Sequence, residues 1–459
     1  MTTSLVDAES VVTVDIGSVT TRALLFDVVD GIYTFVAAGS APSTAAAPFR
    51  DVSEGVHNAL VNLQKVVGRK ITGADGHIII PAQSSGAGVD RLAITFSAGP
   101  ELRLVVAGLL GDVSLESARH LAASTYARVV ETIGLNDRRR MDMQLDAVLR
   151  AEPDIILVAG GTDGGASRSV GKLLELVSLV CRVLPQDKRP EVIYAGNQAL
   201  DKRVRDHFEK LTILQVAPNI RPSIDSEDLS PAQVVLQNAA MRLRRQRVIG
   251  LESLAALCAV PPMPSVQAFG RMVRFLSKVY DPQKGVLGLD LGASATLVAA
   301  AVAGQLDTAV YPLGMGAGLV QALPQLRIEE IIKWLPMHVP EPEVRDYLWN
   351  KSLHPNSLPL TAETLAIEQA TARQMMRLVM QQFFASHPEQ HMAYEPILAS
   401  GTVVAQAPTP GQSLLMLLDG LQPVGVTILM LDQNGLIAPL GAASTFNPVL
   451  PVQVLESGA

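Results

Sequence analysis

Two segments of the chain carry one pattern: VTVDIGSVTTRALLFD at residues 12–27 and LGLDLGASATLVAAAV at residues 287–302. In each, an apolar run leads into an aspartate, a glycine stands two positions on, a threonine six positions on, and a second apolar run departs. That is strand, tight turn, strand. Gly17 and Gly292 permit a sharp bend and close approach of the backbone to a ligand. The amides and hydroxyls around Ser18, Thr20 and Thr21, and around Ser294 and Thr296, are placed to donate to phosphate oxygens. Asp15 and Asp290 fall at strand ends, facing the ligand. A hard cation such as Mg²⁺ takes oxygen ligands and keeps several waters, so one carboxylate from each half would hold it beside the phosphates. Either hairpin alone reads as an ordinary Asp-x-Gly turn; the repetition is what a duplicated, two-lobed nucleotide cleft needs.

Composition sets bounds on this reading. The chain has 459 residues, 48% hydrophobic and 18% charged, which is room for two to four domains with real cores. A net charge of −7 gives no electrostatic footprint for nucleic acid or an anionic membrane. The arginine runs at 138–140 and at Arg242, Arg244, Arg245 and Arg247 read as solvated helix faces. The opening MTTSLVDAES lacks the basic and apolar regions of a signal peptide, and no uncharged apolar stretch reaches the roughly 20 residues that span a bilayer. A cytoplasmic protein without a membrane partner is expected. Cys181 and Cys258 lie in apolar helical contexts without C-x-x-C spacing and read as buried thiols. His387 and His391 have the spacing of helix-borne metal ligands, but Pro388 interrupts them, and that segment reads as a loop or helix start.

Along the chain, the first hairpin continues into a third strand near 31–38, an Ala/Ser/Pro-rich connector, and an amphipathic helix near 53–66. From IIIPAQSSGAG onward, apolar runs (LRLVVAGLL, DIILVAGG, EVIYAGN, LTILQVA) alternate with helical stretches at 114–133, 140–150, 167–183 and 198–210. Short buried strands separated by helices imply a mainly parallel sheet covered on both faces. Ligands of such sheets collect at the carboxyl ends of the strands, where AGGTDGG at 159–165 falls. Gly160, Gly161 and Thr162 would line a cleft there, and Asp163 is the candidate catalytic carboxylate. Helices near 230–246, 251–259 and 265–279 bridge to the second half. There, strands at 286–291, 295–302 and 305–311 repeat the opening theme, followed by LGMGAG and helices near 328–335, 342–350 and 362–385. A strand at 396–399 ends in Ser400, Gly401 and Thr402, a small-residue turn suited to lie against the base and ribose of adenosine.

This arrangement resembles the acetate and sugar kinase, heat-shock ATPase and actin superfamily. More narrowly, DIGSVTTRALLFD, PDIILVAGGTDGG, VIYAGNQA and LQPVGVTILMLD look like the MutL-type proteins that accompany adenosylcobalamin-dependent glutamate mutase. The resemblance covers most of the chain. It implies an α/β, two-lobed ribonuclease-H-like fold of the actin and heat-shock ATPase type, with an additional parallel α/β region in the first half. The expected division is 1–75 for the first part of the N-terminal lobe, 76–220 for the α/β region, 221–283 for connecting helices and 284–459 for the C-terminal lobe. ATP and Mg²⁺ are the implied cofactors and a cobalamin-dependent mutase the implied partner, in a role akin to that of dehydratase-reactivating chaperones. Oligomerisation of the chain itself is compatible with this.

The departures from the family pattern fall in the second half. A D-x-G-G-A-T-T-D turn is usual, whereas here Ala293 replaces the second glycine and Leu297 the closing aspartate. Pro312 stands where an acidic residue is expected, and the usual T-G-G of the adenosine turn is SGT. Phosphoryl transfer depends on positioning and electrostatics, so these losses leave hydrolysis open while binding survives. Three functions remain in play: an ATP-driven assembly or reactivation factor for a mutase, a non-hydrolysing ATPase-fold scaffold, and a small-molecule kinase.

Overall fold

The computed structural model describes residues 9–390 and 393–457. His391 lies outside the described residues. The first hundred residues supply strands β1 (Val11–Ile16), β2 (Thr20–Val29), β3 (Ile32–Pro42) and β4 (Arg91–Phe96). The middle of the chain supplies β5 (Leu102–Ala107), β6 (Ala127–Ile133), β7 (Ile155–Val158), β8 (Glu191–Tyr194) and β9 (Leu214–Val216). The remainder supplies β10 (Met263–Pro264), β11 (Val286–Leu291), β12 (Thr296–Val302), β13 (Gln305–Tyr311), β14 (Ile397–Ser400) and β15 (Leu429–Leu431). The chain divides into two compact units, one of residues 1–100 with 244–459 and one of residues 101–243.

The larger unit contains the duplication that the sequence announces. Its two sheets run β10-β4-β1-β2-β3 and β13-β12-β11-β14-β15. In both, an antiparallel three-stranded meander is extended by two parallel strands beside its first member, so each is the mixed sheet of a ribonuclease-H-like lobe. The central strands β1 and β11 are buried on both faces, which explains why VVTV and VLGL show no polar alternation. A helix follows the fifth strand of each sheet: Ser265–Val279 after β10 and Ile437–Ala443 after β15. These two helices cross at small residues. A Cβ on Gly441 would stand 1.9 Å from the carbonyl oxygen of Ala268, and Ala268 and Ala442 share a small core with Ala93 of β4. The helix Val52–Val67 packs on β3 just as closely, because Gly39 leaves room for its backbone at Leu63. Asp51 caps that helix through the Ser53 amide, and Gly68 ends it with a positive φ.

The smaller unit is an all-parallel sheet in the order β6-β5-β7-β8-β9. Alternate residues of β5 feed opposite faces. Leu102, Leu104 and Val106 pack with helices Glu116–Ala123 and Ser230–Arg247, whereas Val105 and Ala107 pack with Met141–Ala151, Ser167–Val183 and Asp201–Phe208. This is a doubly wound α/β unit whose winding reverses between β5 and β7.

Two sequence expectations need correction. The stretch 114–133 is not one helix, since it holds a short helix, Glu116–Ala123, and then β6. Ser124 and Thr125 turn their hydroxyls back onto the carbonyls of Leu121 and Ala122 at 2.7 and 2.9 Å, ending the helix, and β-branched Val129, Val130, Thr132 and Ile133 follow in extended form. Ile78–Ile80 form no strand beyond one bridge to Thr72, while RLAITF, passed over in the sequence, is β4. No helix among the described residues is long and apolar enough to cross a membrane.

Candidate functional site

The two hairpin turns have one backbone design. Gly17 donates its amide to Thr20 O at 3.0 Å and Gly292 donates to Ala295 O at 3.1 Å. A Cβ on either glycine would collide with that same carbonyl, at 2.9 and 2.7 Å. The turns face one another within the larger unit: the Ser294 hydroxyl donates to Ser18 Oγ at 2.8 Å. Ser18, Thr20 and Ser294 keep solvent access, whereas Thr21 and Thr296 are buried. The Thr296 hydroxyl is committed to Leu313 O at 2.6 Å.

Three aspartates converge beneath the turns. Asp15 and Asp290 occupy matching positions near the ends of β1 and β11, and Asp432 directly follows β15. All three keep a partly solvent-accessible edge but are otherwise surrounded by protein. Burial raises the proton affinity of Asp15, opposed by the Thr95 hydroxyl at 2.6 Å, the Arg22 charge and the Ser265 hydroxyl at 3.3 Å. Asp432 is raised by burial and opposed by the Leu436 and Ile437 amides, which it caps at 2.7 and 3.2 Å, and by Ser400 at 3.1 Å. Asp290 is pushed up to about 7 by burial and by the charges of Asp15 and Asp432, with Arg22 acting against them.

Arg22 is the cation of this site. It lies directly across the ladder from Asp15, and its Nη2 donates to Thr402 Oγ1 at 3.2 Å in the other half. Its guanidinium also presses on Gly435, where a Cβ would stand 2.3 Å from Nη1. The position matching Arg22 in the second hairpin, across from Asp290, is Leu297, and it is buried.

The adenosine-turn candidates adjoin this cluster. Ser400 spends its hydroxyl on Asp432; Gly401 has φ +101° and presses on β11, where a Cβ would stand 2.2 Å from Leu291 O; Thr402 is exposed and accepts from Arg22. The glycine segment 313–318 folds onto the second turn, with the amides of Met315, Gly316 and Gly318 bonded to the carbonyls of Gly292 and Ala293 at 2.8–3.0 Å.

Gly160, Gly161, Thr162 and Asp163 belong to the smaller unit, at the carboxyl end of β7. Asp163 Oδ1 accepts from the Gln198 amide at 3.1 Å and from Asn219 Nδ2 at 2.9 Å, tying together the loops after β7, β8 and β9. His387 ends the helix Ala362–Ser386 and stacks on Phe383 with its Nδ1 against the Phe383 carbonyl, a packing role. Cys181 is buried and Cys258 partly so, and burial pushes the two thiols up to about 11 and about 12.

Sequence reading missed Arg22, Thr95, Ser265 and Asp432. LMLDQNG, a third apolar run ending in aspartate, was the available signal for the last. Among the described residues, no three or more His, Cys, Asp or Glu side chains are grouped to hold a metal by themselves. The Asp290 carboxylate accepts no hydrogen bond from any described residue and feels the charge of Asp15, a donor pair that fits a Mg²⁺ completed by phosphate oxygens and water.

The profile of a family described as MutL protein matches residues 11–458. Protein MutL of Clostridium tetanomorphum is 24% identical over 212 residues, which is 45% of this chain and 44% of that protein, so the match spans less than half of the relative's length. Among solved structures, a glycerol dehydratase reactivase is 12% identical with a TM-score of 0.35, covering 89% of this chain and 94% of that one. A diol dehydratase-reactivating factor in nucleotide-free form is 8% identical with a TM-score of 0.34, covering 98% and 99%. The ethanolamine utilization protein EutJ of Carboxydothermus hydrogenoformans is 10% identical with a TM-score of 0.32, covering 95% and 90%. The fold assignment stands on the strand order of the two sheets.

Proposed function

The chain belongs to the MutL protein family, and from that premise we propose that it is a nucleotide-binding assembly or reactivation factor for an adenosylcobalamin-dependent mutase. The observation that carries the reading is the contact of two Asp-x-Gly turns of one backbone design, with the Ser294 hydroxyl bonded to Ser18 and with Asp15 and Asp290 close enough to feel each other's charge. In this reading the amides of residues 18–19 and 293–294 and the hydroxyls of Ser18 and Thr20 hold the phosphates of ATP. Asp15 and Asp290 hold Mg²⁺ in company with phosphate oxygens and water, and the cation supplies charge neutralisation. Arg22 adds a second positive charge from the first half and, through Thr402, senses the second. Gly401 lets the chain pass close to β11, leaving Thr402 at the mouth where a nucleoside would rest.

Nucleotide contacting both turns stabilises their approach, and closure of the two lobes about the crossing at Ala268 and Gly441 alters a surface offered to the mutase. The glycine loop after β7 enters this reading only as part of the smaller unit, with Asp163 holding its own loops together.

One observation favours a binding protein with weak or no turnover. Leu297 puts a buried apolar side chain opposite Asp290, where the family pattern has an aspartate, and Thr296 and the second turn's carbonyls are already engaged with residues 313–318. Calorimetry with Mg-ATP, paired with phosphate release, tests both readings using the full chain and Asp15→Ala. We expect wild-type binding weakened at least about 100-fold by the substitution, as loss of a metal-positioning carboxylate should bring. Binding unaffected by Asp15→Ala would remove the cleft from the account. Turnover that rises on adding a mutase would favour the reactivation factor, and binding without turnover the scaffold.

A further inference from the structure

The second sheet of the larger unit ends in an open strand. β15 is bonded to β14 on one side and, among the described residues, to no strand on the other. Ile428 O and the Asp432 amide are both bonded to the β14 side, at 2.8 and 2.9 Å, so the two-residue period turns the N–H and C=O of Leu429 and Leu431 outward. Unpaired edge groups of this kind are a template for another chain.

The approach to that edge is apolar. Val424, Val426 and Ile428 are 68%, 85% and 47% exposed, and Leu414 and Leu418 lie exposed one turn apart on the helix Pro410–Leu421. At the start of β14, walled by the helix Ala362–Ser386 and the end of the helix Pro410–Leu421, opens a pocket of about 370 Å³ lined by Met380, Phe384, Tyr394, Ile397, Leu421 and Val424, and Ile397 is the ladder partner of Leu429 in β15. Arg377 stands in its wall, partly exposed, with no hydrogen bond or ion pair to any described residue. Glu330, the carboxylate that feels its charge, is already bonded to Lys333 at 2.7 Å.

We propose that this face binds an extended, acidic segment of a partner protein by strand addition to β15. One apolar side chain of the segment sits in the pocket and one carboxylate meets Arg377. Main-chain bonds to the edge supply affinity, the pocket selects a side chain, and the free guanidinium selects the sign of charge. Charge complementarity favours such a partner over a second copy of this chain, whose matching patch would bring another Arg377. The proposal does not depend on nucleotide binding.

The test uses labelled ten-residue peptides of alternating apolar and polar residues, in pairs that differ only by Glu or Lys at one polar position, titrated with the full chain. The glutamate member of at least one pair should bind about tenfold more tightly, as a charge-assisted contact requires. Arg377→Glu should reverse that preference. Leu429→Pro removes an outward N–H while leaving the ladder to β14 intact, and should weaken both members about tenfold with circular dichroism unchanged. Bound peptide should slow amide exchange at Leu429 and Leu431. Four results would each overturn the proposal: no binding by any pair up to about 1 mM, affinity in the weakest range that a specific contact reaches; equal binding within every pair; binding indifferent to both substitutions; or self-association of the free chain that Leu429→Pro abolishes.

Discussion

The two hairpin turns share a backbone and differ in charge. Each has a glycine amide bonded across the turn and an aspartate at the strand end, but Asp15 faces Arg22 across the ladder and Asp290 faces Leu297. Asp15 is further supplied with two hydroxyl donors, whereas Asp290 has none from the described residues and feels two other aspartates. Burial raises both carboxylates, but Asp15 has two hydroxyls and Arg22 acting against it, whereas Asp290 has Arg22 alone. In the proposed function, a cation with a phosphate chain is what the second turn receives from outside the protein.

The exits beside the turns offer the largest way to break this comparison. Gly401 passes β11 so closely, at φ +101°, that Gly401→Val should destabilise the chain by about 3 kcal/mol or more, read by chemical unfolding. In the first half, where the chain leaves β4 one residue past the position that register matches to Gly401, the Ser97 amide bonds to Ile16 O at 3.1 Å, and Ser97→Val should cost less than about 1 kcal/mol. Equal costs would show that the halves are built more alike than their backbones suggest.

Arg22→Leu gives the first turn the residue of the second. With that cation removed, Asp15, Asp290 and Asp432 should take up protons more readily still. A carboxylate whose folded pKa is raised contributes stability that is fully present below its unfolded value near 4 and is lost as pH rises through the folded value. The loss should therefore be greatest near pH 8, on the order of 2 kcal/mol, and small near pH 5.

Asp290→Asn should act in the opposite direction. Wild-type Asp290, at about 7 in the folded chain, lowers stability between about pH 4 and pH 7 as the proton is withdrawn. The variant should melt higher than wild type at pH 8, by about 1–3 kcal/mol of stability, and alike at pH 4. The same substitution should weaken Mg-ATP binding, so stability and affinity should part company. A similarly small effect belongs to Ser18→Ala, which removes the hydroxyl accepting from Ser294 and should cost no more than about 1 kcal/mol in the absence of ligand.

Much of the first-order design was legible because it is local. An apolar run, an aspartate and a glycine at fixed spacing specify a strand and its turn, and the repeat of that text exposed the duplication before any contact was known. What escaped was set by partners distant in the chain. RLAITF becomes a central strand because β1 accepts it in parallel register, and TYARVVETI leaves the helix because the Ser124 and Thr125 hydroxyls bond backwards and β-branched residues follow. Arg22 reads as the start of a strand, and only folding carries its guanidinium to Thr402 and Gly435. The AGGTDGG loop was visible as a glycine-rich turn, yet the bonds from Gln198 and Asn219 to Asp163 join segments that sequence spacing cannot relate.

The central claim is that one ligand bridges the two turns. Amide hydrogen exchange of the full chain, with and without Mg-ATP, tests it most directly. Peptides covering residues 11–24 and 286–300 should slow together, at the same nucleotide concentration, and neither should slow in Asp15→Ala. Protection confined to one turn, or protection only at residues 159–166, would contradict a shared cleft.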